Sequence, residues 1–211
     1  MRNVSTSLII FFVSAVTVFA DINIPAKYTV TVGNYKQDKK VVPVDDKLSI
    51  VYIDFKNESA LIKATAQEMA KHINPSVDIL VTPEANTIAL VYELSKLTGK
   101  PYLVISKKQR PDMRTTGAIN VSLKSITTKE PQKLWLSAEQ IARIRGKRVQ
   151  IIDDVVSTGG TMNALRELIT LAGGKLIDKP LVGFFEGEKR DDIVAVGGLL
   201  PLYRKEATSP A

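Results

Sequence analysis

The 211-residue chain has no cysteine, a single histidine and a single tryptophan. Without cysteine, disulfides, thiol catalysis and zinc–thiolate sites are excluded, although this absence does not identify the compartment. The lone histidine, His72, falls late in an amphipathic pattern. There a histidine serves as a surface residue or a favourable terminal charge, not as a catalytic group. No helix-turn-helix, zinc or RNA-binding signature is present, and no repeat, low-complexity tract or second domain is visible. The glycine pair Gly159-Gly160 is not followed by lysine, so there is no Walker A loop.

What remains is an ordinary globular composition, 45% hydrophobic and 24% charged. Its length suits one α/β domain with a sizeable core. The formal charge of +7 reads as a solvated surface with excess lysine. Part of that charge is available to a polyanionic small substrate, and no nucleic acid partner is expected.

One stretch organises the rest. Gln150 to Ile152 is short, mostly apolar and β-branched, as in a parallel strand covered on both faces. Asp153 and Asp154 follow at its carboxyl end, where open α/β sheets bind ligands. Two adjacent carboxylates suit vicinal hydroxyls or a hydrated Mg²⁺ held by a ligand. Next come Val155, Val156, Ser157, Thr158, Gly159, Gly160 and Thr161. The glycines let backbone N–H groups approach an anion, and the hydroxyls add donors. From Met162, apolar residues at Leu165, Leu168, Ile169 and Ala172 recur at helical spacing until Gly173-Gly174. The helix therefore points its positive end at the loop.

The flanking chain alternates strands and helices. Tyr28 to Val32 and Leu48 to Ile53 read as strands, and Lys36 to Lys40 as a solvated turn. Asn57 is placed to cap a helix with Leu61, Ile62, Met69, Ala70 and Ile73 on its apolar face. Val77 to Val81 is a strand, followed by Thr82, Pro83, Glu84, Ala85 and Asn86 and then a helix over Ile88 to Leu97. A loop at that position is a second candidate for anion binding. Pro101 to Ser106 is a strand that runs directly into Lys107-Lys108. Ala118 to Leu123 pairs with Leu134 to Leu136 as a hairpin, and Ser137 to Gln140 forms a capping box. Leu176-Ile177 and Leu181 to Phe185 are strand-like. Phe184 or Phe185 is positioned to stack on a planar base, core packing being the alternative role, and Trp135 reads as core. Ile193 to Val196 and Leu199 to Leu202 are edge strands, and the tail Ala207 to Ala211 is read as disordered.

Ile151 to Thr161 resembles the phosphoribosyl-diphosphate signature of the type I phosphoribosyltransferases, and the continuation Met162-Asn163-Ala164 is similar to the adenine branch. The resemblance runs from about Tyr28 to Tyr203. It implies a mainly parallel twisted α/β sheet with helices on both faces and a small hood. It implies that Asp153 and Asp154 hold the ribose hydroxyls, that the Val155–Thr161 loop holds the 5′-phosphate, and that Thr82–Asn86 is the diphosphate loop. Lys107 and Lys108 stand where the family carries its basic pair for the leaving group. Gln109 to Pro131 corresponds to the flexible catalytic loop, with Lys124 and Lys129 as its cations. The implied reaction transfers ribose 5-phosphate from phosphoribosyl diphosphate to a purine base, adenine first, with Mg²⁺ bound mainly through the diphosphate and no dedicated protein metal site. A homodimer is expected. A non-catalytic module that binds phosphoribosyl diphosphate or a nucleotide is the alternative.

The N-terminus has a different character. Arg2 precedes an apolar run over Leu8 to Val13 and Ala15 to Ala20, ending in Val18-Phe19-Ala20. This is the pattern of a secretory signal peptide over residues 1–20, with the phosphoribosyltransferase domain over 21–211. A secreted or periplasmic protein without stable membrane insertion is then expected. An uncleaved anchor is one alternative, and a misassigned start, giving a cytoplasmic protein, is another.

Overall fold

A computed structural model describes residues 24–114, 117–123 and 132–204. The expected signal peptide over residues 1–20, Lys124 and Lys129 and the tail Ala207 to Ala211 lie outside the described residues. The chain opens with β1 (Lys27–Val32), β2 (Tyr35–Pro43) and β3 (Leu48–Val51). Then come α1 (Ser59–Ala70), β4 (Ile79–Pro83), α2 (Ile88–Thr98) and β5 (Tyr102–Ile105). After a hairpin of β6 (Ile119–Ser122) and β7 (Lys133–Leu136) follow α3 (Ala138–Ile144), β8 (Arg148–Val156) and α4 (Gly160–Leu171). Short strands complete it: β9 (Lys175–Leu176), β10 (Leu181–Glu186), β11 (Val194–Ala195), β12 (Leu199–Leu200) and β13 (Leu202–Arg204).

The central sheet has the order β11-β10-β8-β4-β5, with β12 on β10 and β9 on β8. All its pairings are parallel. Helical segments separate β4 from β5, β5 from β8 and β8 from β9, the crossovers that parallel pairing needs. Side chains alternate across the sheet. Val149 and Ile151 of β8 enter one core with Val81, Leu165 and Ile169. Ile152 enters the other with Leu80, Leu90 and Phe184. One core takes α1 and α2, the other α3, α4 and the hairpin. This is the α/β sheet with helices on both faces expected from sequence. Each fully buried aliphatic or aromatic side chain stabilises it by about 1.5–3 kcal/mol.

A separate antiparallel sheet, β1-β2-β3-β13, forms the hood. It joins the two ends of the described chain, with Leu202 opposite Ile50. No helix among the described residues is long and apolar enough to cross a membrane.

Several expectations need correction. Lys36 to Lys40 is not a turn but part of β2, paired along β1. Tyr35 and Lys39 point inward on it while their charged neighbours face water. Lys39 is buried against Glu58, which also accepts a hydrogen bond from the Tyr35 hydroxyl at 2.9 Å. Asn57 does not cap α1. Its backbone N–H, like that of Lys56, donates to the Asp54 carboxylate in the preceding turn, and the cap position is Glu58. Phe184 and Phe185 both lie in the core, on opposite faces of the sheet, so neither is a free platform for a base. Trp135 is half-buried, not core, with the Lys133 ammonium over its ring. The capping box is present as read: Ser137 Oγ accepts from Gln140 N–H, and Gln140 Oε1 accepts from Ser137 N–H.

Candidate active site

Because β4, β5, β8 and β10 run parallel, their carboxyl ends meet at one edge. There a small polar cavity of about 150 Å³ opens between β4, β5 and β8. It gathers most of the residues predicted from sequence: Pro83, Glu84, Ala85 and Asn86 from one loop, Lys107 from the next, and Asp153, Asp154, Val155 and Thr161 from the third.

β8 runs further than its apolar core. It continues through both aspartates to Val156, so the strand's alternation splits the acidic pair. Asp153 is 5% exposed, with Oδ1 accepting from the Thr87 hydroxyl at 2.8 Å and from Asp154 N–H at 3.0 Å. Burial, and then the charge of Asp154, pushes its carboxyl well above the usual carboxylate range. Asp154 is half-buried and spends Oδ1 on the N–H of Val155, at 2.8 Å. Asp154 is therefore the carboxylate open to a ligand, and Asp153 is a buried support behind it. Thr87 was not picked out from sequence. It stands at the cap position of α2 without capping it, because its hydroxyl is committed to Asp153. A hydroxyl residue directly before an apolar helical pattern was the available signal.

The second loop is tied to the third β-unit. Glu84 accepts hydrogen bonds from Ser106 Oγ at 3.2 Å and from Lys107 N–H. The Trp135 N–H donates to the Ser106 carbonyl at 2.8 Å, bringing the hairpin beside the same turn. Lys107 lines the cavity, whereas the exposed Lys108 does not. Thr82 is fully buried in β4, with its hydroxyl lacking a partner among the described residues. It lies beneath the loop, outside the cavity.

The signature loop divides in the same way. Val156 is core, at 3% exposure, because it still belongs to the strand. Ser157, Thr158 and Gly159 form the turn, and Gly160 begins α4. Gly159 has φ +79°, a left-handed conformation that disfavours any side chain. Its missing side chain would meet the Arg190 guanidinium. Burial pushes the carboxyl of Glu186, at the end of β10, up, opposed by the nearby Ser157 hydroxyl and reinforced by the charge of Asp154. Glu186 and Arg190 were not singled out from sequence. They follow a strand whose neighbour in space is 29 residues away in sequence (Phe185 opposite Val156).

Among the described residues no cluster of three or more acidic or histidine side chains could hold a metal ion. One open carboxylate, Asp154, fits a Mg²⁺ that is held largely by a ligand's phosphate oxygens. A wider hollow of about 510 Å³ lies toward the amino edge, lined by His72, Gln150, Lys179 and others. Its lining includes the exposed Asp178 but no glycine loop and no helix N-terminus beside it.

The model of the phosphoribosyl transferase domain family matches residues 53–179. The chain is 32% identical to a hypoxanthine/guanine phosphoribosyltransferase of Methanotorris igneus over 71% of this chain and 73% of that protein. Among similarly named archaeal relatives, the matched stretch spans 59% to 75% of the relative's length. An adenine phosphoribosyltransferase of Clostridium novyi is 26% identical over 68% of this chain and 82% of its own. In fold, the chain is similar to the crystal structure of adenine phosphoribosyltransferase from Thermoanaerobacter pseudethanolicus. The TM-score is 0.62 at 17% identity, covering 76% of this chain and 95% of that one. The signature on β8 and α4 lies inside the matched region, and the chain belongs to the phosphoribosyltransferase domain family.

Proposed function

We propose that the protein transfers ribose 5-phosphate from phosphoribosyl diphosphate to a ring nitrogen of a purine base, releasing diphosphate. The observation that carries this reading is the cavity itself. An open carboxylate, a helix N-terminus behind a glycine loop, and a lysine beside a second loop converge on one edge of the sheet.

In this reaction the C1′–O bond breaks, and its electron pair leaves with the diphosphate. The lone pair of the purine nitrogen forms the new bond to C1′, and that nitrogen gives up its proton. Positive charge develops on the sugar and negative charge on the leaving group. Asp154, oriented by its bond to Val155 N–H and backed by Asp153, holds the ribose hydroxyls close to the developing positive charge. Lys107 and the backbone of Glu84 to Asn86 face the leaving group. Thr161 and the N–H groups of Ser157 to Gly160 hold the 5′-phosphate, so that remote binding energy orients C1′. Asp154 would hold a Mg²⁺ brought mainly by the diphosphate, and that ion would supply charge neutralisation for the leaving group.

Adenine is the base we propose, on the likeness of Met162-Asn163-Ala164 to the adenine branch. Hypoxanthine or guanine is the second reading, favoured by the names of the relatives at about one-third identity. Diphosphate release from phosphoribosyl diphosphate with each base in turn separates them, and the ratio of kcat/KM values decides. Release with no base would refute transfer, and tight binding without turnover would favour the non-catalytic module. We also propose a homodimer and export with a mature chain beginning at Asp21. Light scattering and N-terminal sequencing of the protein from its native cell test these.

A further inference from the structure

On the reading just given, the phosphate loop is short of positive charge. A phosphate monoester carries about 1.5 to 2 negative charges at neutral pH. The loop offers backbone N–H groups, hydroxyls and a helix end worth about half a charge, but residues 157–161 include no basic side chain.

The fold brings one from elsewhere. Arg190, beyond the end of β10, lies across the loop. A Cβ on Gly159 would fall 2.8 Å from the Arg190 guanidinium carbon, and Nη1 donates to the Thr158 carbonyl at 3.2 Å. Nε donates to Asp192 Oδ1 at 3.2 Å, and Nη2 to Asp192 Oδ2 at 3.5 Å. Asp192 is held in turn by Arg166 on α4, which donates to Oδ2 at 2.7 Å and to the Asp192 carbonyl at 2.9 Å. Burial would raise the Asp192 carboxyl, but the two arginines outweigh it and hold it below the ordinary carboxylate range. The carboxylate therefore stays charged and fixes the orientation of Arg190. Three bonds leave two of the guanidinium's five N–H donors without a partner among the described residues. The result is a framed, charged fork with spare donors, lying on the backbone of a loop built for an anion.

We propose that Arg190 is a binding residue for the ribose 5′-phosphate, oriented for that contact by Asp192 and Arg166. A guanidinium suits the task because its fork bonds phosphate oxygens in fixed geometry. The close approach of Arg190 also gives Gly159 a second reason to be glycine, besides its backbone conformation. This inference rests on the proposed function and specifies the phosphate half of that site.

The test uses the full chain, with calorimetry against ribose 5-phosphate and steady-state kinetics with phosphoribosyl diphosphate. Arg190→Gln should weaken ribose 5-phosphate binding 10- to 100-fold and raise KM for phosphoribosyl diphosphate similarly, with KM for the base changed less than threefold. Arg190→Lys should recover part of the loss. Asp192→Asn should shift both ligands in the same direction by 3- to 10-fold. Unchanged affinity in a folded Arg190→Gln protein would overturn the proposal. So would a fall in kcat and melting temperature with KM for phosphoribosyl diphosphate unmoved, the signature of a purely structural clip. If Arg190→Gln does not fold, Arg190→Lys and Asp192→Asn decide on the same readouts. A wild-type protein that binds neither ligand would refute the function itself, whereas an active wild type with an indifferent Arg190→Gln refutes only this inference.

Discussion

The parallel core and the antiparallel hood of this protein are built by different physics. The core strands are mostly apolar runs packed between two cores, and the two that carry the loops of the acidic pair and of Glu84, β8 and β4, are each followed by a helix whose N-terminus opens at the same edge. The hood has one strand, β2, whose charged residues face water while Tyr35 and Lys39 turn inward, and it joins chain positions about 150 residues apart. The core places its carboxyl-edge loops by local rules and can therefore afford polar, poorly stabilised residues there. The hood depends on distant pairing and holds itself with a buried Lys39–Glu58 contact. Damage at the core's edge should accordingly appear in turnover, and damage in the hood should appear in stability.

The largest effect is expected from the acidic pair. Asp153→Asn with Asp154→Asn should lower turnover by about 100- to 1,000-fold, in the range for removing a group that stabilises developing charge, with a melting transition no lower than that of wild type. Separating the two sharpens the comparison, because Asp154→Asn should carry most of the loss.

Gly159→Val comes next. A β-branched residue at φ +79° costs about 1–2 kcal/mol and must displace Arg190. Thermal unfolding should show the lost stability, and calorimetry with ribose 5-phosphate should show weaker binding. A variant that folds and binds as wild type would separate this loop from the phosphate.

Asp153→Asn should have the opposite sign for stability. Burial raises the Asp153 carboxyl in the folded protein, so the folded chain holds that proton more tightly than the unfolded one. Its contribution is favourable at acid pH and is lost as pH climbs from the ordinary value near 3.8 through the raised one. Asparagine keeps the acceptor for Thr87 and removes the titration. The melting temperature of the variant should therefore exceed that of wild type at neutral pH, by a margin that grows as pH rises from 4 to 7. A margin that shrinks with pH would contradict the buried-acid account.

In the hood, Lys39→Met should lower stability by about 1–3 kcal/mol, less than for a fully buried pair because Glu58 keeps some access to water. Turnover by the folded fraction should stay near wild type. The smallest effect is expected at Ser137→Ala, where losing the capping box costs about 1 kcal/mol and leaves activity unchanged.

The same division explains what could be read from the sequence. β8, α4 and the loop between them were legible because a β-branched run, an acidic pair, glycines and a helical repeat follow one another without a break. The separation of buried Asp153 from half-buried Asp154, and the burial of Val156, were not visible, since nothing local marks where a strand ends once its residues turn polar. β2 was missed because its inward positions are a tyrosine and a lysine, whose burial depends on Glu58, 19 residues beyond Lys39. Thr87, Glu186 and Arg190 belong to the site through pairings between distant strands and loops. The phenylalanines of β10 looked available for a base, but each packs into the core on its own face of the sheet, Phe185 into one and Phe184 into the other.

The most direct test of the central claim is hydrogen exchange on the full protein with and without phosphoribosyl diphosphate and Mg²⁺. The account predicts protection concentrated at residues 157–161 and 84–87, at the carboxyl edge of the sheet. Protection confined to residues 71–75 and 178–181, around the wider hollow at the other edge, would contradict it.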